Sequence, residues 1–185
     1  MTRFLLTSAA MALCLTACGA QAQTAPGIAK PAPTAPLNAP ADSDVDFVKK
    51  AATSDMTEIE TSKVAVTKAT KPDIKKFAQQ MIDDHTKLST EMGTLAKSKN
   101  IPVPPRDSSI DDKVKKLSAL SGADFDKEYL KGQVDGHKDA AKLFHGDGTK
   151  LKDADLRAAV AKATPTIDAH LDHVQKLAAA NGVKS

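Results

Sequence analysis

From Asp42 to Asn181 the apolar residues recur every three or four positions, the period of helices that bury one face. The first such segment starts near Asp42, Ser43 or Asp44, each a competent N-cap, and runs to about Ala69. Phe47, Val48, Ala51, Ala52, Ile59, Ala65, Val66 and Ala69 share its apolar arc, and Asp55 and Glu58 fall inside that arc. Lys71-Pro72-Asp73 makes a tight turn, with Pro72 suited to the first position of the next helix. That second helix carries Ile74, Phe77, Ala78, Met81, Leu88, Met92, Leu95 and Ala96 on one face, with His85 in its middle, and fades at Lys97 to Asn100.

Ile101-Pro102-Val103-Pro104-Pro105 breaks the pattern. A short amphipathic helix follows, capped by Ser108 or Ser109 and expected to lie as a lid across one end of the bundle; Ser121-Gly122 ends it. A third long helix runs from about Ala123 to Phe144, with Gln133 and His137 four residues apart on its apolar face. The last spans about Asp153 to Ala180, with a kink expected near Ala161 to Thr164 ahead of Pro165, and His170 on the inner side of its apolar stripe. The expected fold is all-α: an antiparallel four-helix bundle over 42–182 with a short extra helix in the long connection between its second and third long helices.

Composition leaves that picture intact. The 185 residues are 41% hydrophobic and 26% charged, with no Trp and one Tyr. The 26 basic and 23 acidic residues are interspersed, so there is no concentrated basic face for nucleic acid and little aromatic surface for stacking on bases.

The N-terminus departs from the helical pattern. Residues 1–17 have one early positive charge, Arg3, and then an apolar run from Phe4, the build of a secretory signal peptide. Leu15-Thr16-Ala17-Cys18 resembles the lipobox of bacterial lipoproteins, in which the cysteine is acylated; ordinary cleavage after Ala20-Gln21-Ala22 is the alternative. Residues 18–41 contain Pro26, Pro31, Pro33, Pro36 and Pro40 and read as an extended tether. The expected location is the bacterial envelope, as an outer-membrane lipoprotein facing the periplasm or, with ordinary cleavage, as a soluble periplasmic protein. The membrane is then a partner through the lipid, and no protein partner can be named. Cys14 is lost with the signal, so Cys18 has no intramolecular disulfide partner.

The candidate chemistry lies in the inward polar residues. The turn at Lys71-Pro72 makes the first two helices antiparallel neighbours, and Glu58 and His85 are equidistant from it, so they are expected to meet roughly 20 Å down the bundle. His137 is the expected third member. If the last two helices turn near Thr149, His170 lies deeper than His137 by about nine residues, which places it nearer Asp126 and Tyr129. Isolated buried carboxylates are costly, so Asp55 and Glu58 need partners.

Phe47-Val48 with Ala51-Ala52 and Glu58, Phe77-Ala78 with Asp83-Asp84-His85, Leu120-Ser121-Gly122 with Phe125-Asp126 and Tyr129, His137, and Pro165 with His170 together resemble the exported bacterial domain of unknown function 4142 family. The resemblance covers about Val45 to Leu177 and implies a ferritin-like four-helix bundle without supplying an activity. No Glu-x-x-His of the di-iron type occurs, and carboxylates are too few for ferroxidase chemistry. Glu58, His85, His137 and His170, with Asp55, Asp84, Asp126 and Gln133 as second-shell groups or alternative ligands, could hold one Zn, Fe, Ni or Cu ion. The same groups could instead form a buried hydrogen-bond network that specifies helix register, or a histidine cluster that titrates. No nucleophile–base pair or phosphate loop can be assigned. Two functions follow: an envelope bundle with a structural, stress-related or interaction role and no assignable catalysis, or a metal-binding or oxidoreductase bundle.

Overall fold

A computed structural model describes residues 39–184. The segment expected as a signal peptide, Cys18 and nearly all of the segment expected as a tether lie outside the described residues. Five α-helices make up the fold: α1 Asp42–Lys68, α2 Pro72–Ser98, α3 Ser108–Ser118, α4 Gly122–His145 and α5 Ala154–Ala180, with a 3-10 turn at Asp147–Lys150. Among the described residues no helix is long and apolar enough to cross a membrane.

α1 packs on α2 and α4, and α5 packs on the same two helices from the opposite corner. α1 and α5 run one way and α2 and α4 the other, so every neighbouring pair is antiparallel. One long crossover, from α2 to α4, completes the ferritin-like topology. α3 lies along the seam between α1 and α4 rather than across an end. Arg106 pairs with Glu60 at 2.9 Å, and Lys68 near the end of α1 donates to the Ser118 carbonyl. The three prolines before α3 keep the chain extended, so it travels back along α1 before it can coil.

The helix ends show how local chemistry sets the boundaries. Pro72 is already helical, which confines the first turn to Ala69–Lys71. Asp126, buried in α4, secures that turn by accepting from both the backbone N–H and the hydroxyl of Thr70. α3 is capped by Asp107, one residue ahead of the serines, through the Ser109 N–H. Gly122 opens α4 with φ +60°, a left-handed conformation that suits glycine. Asp153 caps α5 through the amides of Asp155 and Leu156. α1 starts from Ala41 without a side-chain cap. Buried Asp44, a candidate cap by sequence, instead accepts the N–H groups of Lys152 and Asp153 across the bundle at 2.7 and 2.8 Å. α5 continues unbroken through Pro165, and the Thr164 hydroxyl donates to the Val160 carbonyl one turn back.

The apolar core is in two halves. Ile74, Phe77, Met81, Phe125, Leu130 and Val174 fill the half next to the α1–α2 turn. Phe47, Val48, Phe144, Leu156, Val160 and Ile167 fill the other. Between them lies a polar layer of Asp55, Glu58, His85, Gln133, His137 and His170, each no more than 7% exposed. Ile59 and Val66, expected on the buried arc of α1, are only half-buried, because Asp55, Glu58 and Ser62 take the inward line.

Candidate metal centre

Three of the four long helices contribute one histidine each to the polar layer. The rings of His85, His137 and His170 form a nearly equilateral triangle, with centroids 5.5, 5.3 and 5.4 Å apart. One nitrogen from each ring lies within 4.8 Å of the other two, and all three residues are 1% exposed.

Each ring is held by its other nitrogen. His85 Nδ1 bonds Asp55 Oδ1 of α1 at 2.8 Å, His137 Nδ1 donates to the Gln133 carbonyl one turn back at 2.9 Å, and His170 Nε2 bonds Asp84 Oδ2 of α2 at 2.9 Å. Ring nitrogens anchored on carboxylates and a carbonyl are the usual outer support of metal-binding histidines, because the hydrogen bond fixes tautomer and orientation. The nitrogens left over are His85 Nε2, His137 Nε2 and His170 Nδ1. The first two are 3.4 Å apart, and the third is buried without a hydrogen-bond partner. Two ligands on a tetrahedral ion with bonds of about 2.0–2.1 Å stand roughly 3.3 Å apart, which the His85–His137 pair matches, while all three nitrogens lie within 4.8 Å of one another.

Electrostatics separates the three rings. Burial pushes His137 down to about 3, helped by the neighbouring His85 and His170. Burial likewise lowers His170, against the opposing pull of Asp84. Burial also acts against protonation of His85, but its hydrogen bond to Asp55 and the charges of Asp55, Glu58 and Asp84 together raise it. Desolvation raises Asp55, with His85 as the partial offset. Folding therefore favours the neutral, ligating form of His137 and His170 and the protonated form of His85, whose proton an entering cation would have to displace.

The expected pairing of Glu58 with His85 is replaced by Asp55 with His85. The turn spans Ala69–Lys71 and is centred on Thr70, earlier than the Lys71–Pro72 centre used in the count, so the residue opposite His85 moves back by about one helical turn. Glu58 lies instead against α4, where the Gln133 amide donates to its Oε2; burial pushes its carboxyl up to about 7. His170 lies with His85 and His137, and not with Asp126 or Tyr129. Asp126 secures Thr70, and the Tyr129 hydroxyl bonds Ser62 at 2.9 Å. The depth count failed at the connection after α4, which does not reverse at one level. Asp147 pairs with Lys50, whereas Lys152 and Asp153 are held by Asp44, six residues nearer the start of α1, so the chain advances roughly 9 Å along the axis before α5 begins. His145 is exposed and pairs with Asp168 at 2.9 Å.

Sequence reading did not single out Gly136. A Cβ there would come within 2.6 Å of Glu58 Oε1, so the glycine makes room for the carboxylate. A glycine inside a helix, next to an inward histidine, was the available signal.

Fold and site together define a ferritin-like helical bundle with a buried three-histidine centre. The chain belongs to the family described as Domain of unknown function (DUF4142), whose model matches residues 29–177. Two solved structures share the fold. One is a DUF305 fragment from Deinococcus radiodurans, at TM-score 0.66 and 10% identity over 75% of this chain and 96% of that one. The other is CopM in its Cu(I)-bound form, at TM-score 0.61 and 18% identity over 73% and 94%. No curated protein matches the chain.

Proposed function

We propose that this domain binds a single transition-metal ion on His85, His137 and His170, with Asp55, Asp84 and the Gln133 carbonyl orienting the rings. The observation that carries the reading is the division of labour in each imidazole: one nitrogen is tied to an oxygen, and the other is turned toward a common point where His170 Nδ1 has no partner. The ligands are neutral and nitrogenous, which suits Zn, Cu, Ni or Fe better than Mg or Ca. Likeness to CopM at 18% identity concerns the fold, and makes Cu(I) one of the ions to try. A bound ion would supply Lewis acidity and, for Cu or Fe, an electron-transfer couple. Buried rings anchored on oxygens suit capture and retention of the ion, as expected of a metal-buffering protein.

The sequence supports an envelope setting for this activity, with Cys18 lipidated and residues 18–41 spacing the bundle from the outer membrane on its periplasmic side. Membrane fractionation of Cys18→Ser tests the anchor: release into the soluble fraction is expected, and unchanged membrane association would remove it.

The test of the metal reading is elemental analysis and thermal melting of tag-free protein, stripped with chelator and then offered Zn, Cu(I), Ni or Fe(II). One equivalent bound, with a raised melting temperature, is expected. Less than about a tenth of an equivalent of every ion, with no melting shift, would leave the layer as a hydrogen-bond network that specifies helix register.

A further inference from the structure

Beside the histidine centre, between α1, α3 and α4, lies a separate cavity of about 630 Å³. It exists because α4 presents Gly132 and Gly136 there in place of side chains, while α3 stands off as the outer wall. Its surface is divided. Leu117, Leu120 and the Tyr129 ring make an apolar side, and Thr57, Glu58, Thr61 and Gln133 make a polar one.

The polar side has acceptors in excess of donors. Glu58 Oε2 takes the Gln133 amide, and Oε1 receives no hydrogen bond among the described residues. Gln133 is 2% exposed and its Oε1 is buried with no partner. The Thr57 and Thr61 hydroxyls donate to backbone carbonyls of their own helix; Thr61 Oγ1 also accepts the Gln133 amide at 3.4 Å, whereas Thr57 Oγ1 accepts nothing among the described residues. Charge points the same way: Glu58, Glu128, Asp135 and Asp139 stand against Lys113 and Lys116 around the cavity. A buried acceptor without a donor is costly, and one left beside a carboxylate marks a place for a cationic donor. A hard divalent ion would need six or more oxygens, more than converge here, whereas an ammonium group needs about three acceptors. Two further cavities among the described residues do not offer this set. Asp44 in one is satisfied by backbone amides, and the other, beside Phe144 and Pro165, is mainly apolar.

We propose that the α1–α3–α4 cavity binds an organic primary amine in its ammonium form, with the –NH3+ group on Glu58 and Gln133 and an alkyl body along Leu117, Leu120 and Tyr129. The site is distinct from the histidine centre and does not require a metal.

Calorimetric titration of chelator-treated full-length protein with n-hexylamine, 1-hexanol and hexanoate tests this. At pH 8 the Glu58 carboxyl is above the value of about 7 to which burial pushes it, and the amine is protonated. Saturable one-to-one binding of hexylamine, at least about tenfold tighter than hexanol and with none for hexanoate, is expected. Two variants complete the test. Glu58→Gln keeps the shape and removes the charge, and lowers hexylamine affinity by about tenfold or more. Gly132→Leu fills the cavity from a position with open space for a side chain, so it leaves the fold intact and abolishes binding. Equal binding of hexanol, absence of hexylamine binding, or binding unchanged in Gly132→Leu would overturn the proposal. Since the protein is stripped of metal by chelator beforehand, none of these outcomes depends on whether the histidines take up metal.

Discussion

His85 stands where a leucine would continue the apolar face of α2, and its partners explain how the position is tolerated. A buried imidazole needs both nitrogens accounted for, and Asp55 supplies one side while the space shared with His137 and His170 supplies the other. Removing Asp55 therefore acts through the ring it holds. Asp55→Asn is expected to weaken metal affinity by about 10- to 100-fold with the fold retained, as read by competition against a chelating dye. Glu58 offers a different residue-scale test. Its carboxyl is raised from 4.5 to about 7 in the fold, so the native state holds a proton that the unfolded chain has lost. Stability from this group therefore falls as pH rises from about 4.5 through about 7. Glu58→Gln removes the loss and is expected to stabilise the protein at pH 8 by about 2 to 3 kcal/mol more than at pH 4.5, measured by urea unfolding at both values.

At the scale of elements, α4 does the most to position chemistry. Its inward line carries Asp126 for the α1–α2 turn, Tyr129 for Ser62, Gln133 for Glu58 and His137 for the triad. The spacings of three and four keep all four on one helix face. Its two central glycines have different surroundings despite lying one turn apart. Gly132→Ala meets open space and should stabilise the fold by up to about 1 kcal/mol through helix propensity, whereas Gly136→Ala drives a methyl toward Glu58 Oε1, and the shift it forces on the carboxylate offsets that gain. The melting temperature is therefore expected to rise further for Gly132→Ala than for Gly136→Ala. α3 was legible as a helix from Ile110, Val114, Leu117 and Leu120, but its resting place was not. An amphipathic stripe says that a face is buried and leaves open which groove receives it.

For the whole molecule, the polar layer divides the core into two apolar halves, so its protonation state bears on stability across the bundle. His137 is lowered from 6.5 to about 3 and His170 is lowered as well, so folding favours their neutral forms. The unfolded chain takes up protons more readily below about 6.5, and the contribution of these rings to stability is lost as pH falls from there toward about 3. The raised His85 acts in the opposite sense. On the metal reading proposed above, uptake would displace its proton, so calorimetry in buffers of different ionisation enthalpy is expected to show release of about one proton per ion near pH 6.

The sequence by itself determined the five helices, their approximate ends, the antiparallel first hairpin, the ferritin-like class and the inward placing of Asp55, Glu58, His85, Gln133, His137 and His170. Each of these follows from helical period, turn chemistry or a family likeness. Which of the six meet was decided by the tertiary structure. Axial depth depends on where each turn is centred and how far each connection advances. A turn centred on Thr70 moved the partner of His85 from Glu58 to Asp55, and a connection that descends from Lys50 to Asp44 brought His170 level with His137. Periodicity fixes the angle of a side chain around its own axis, whereas a site is made by height along four axes at once, and only packing sets that.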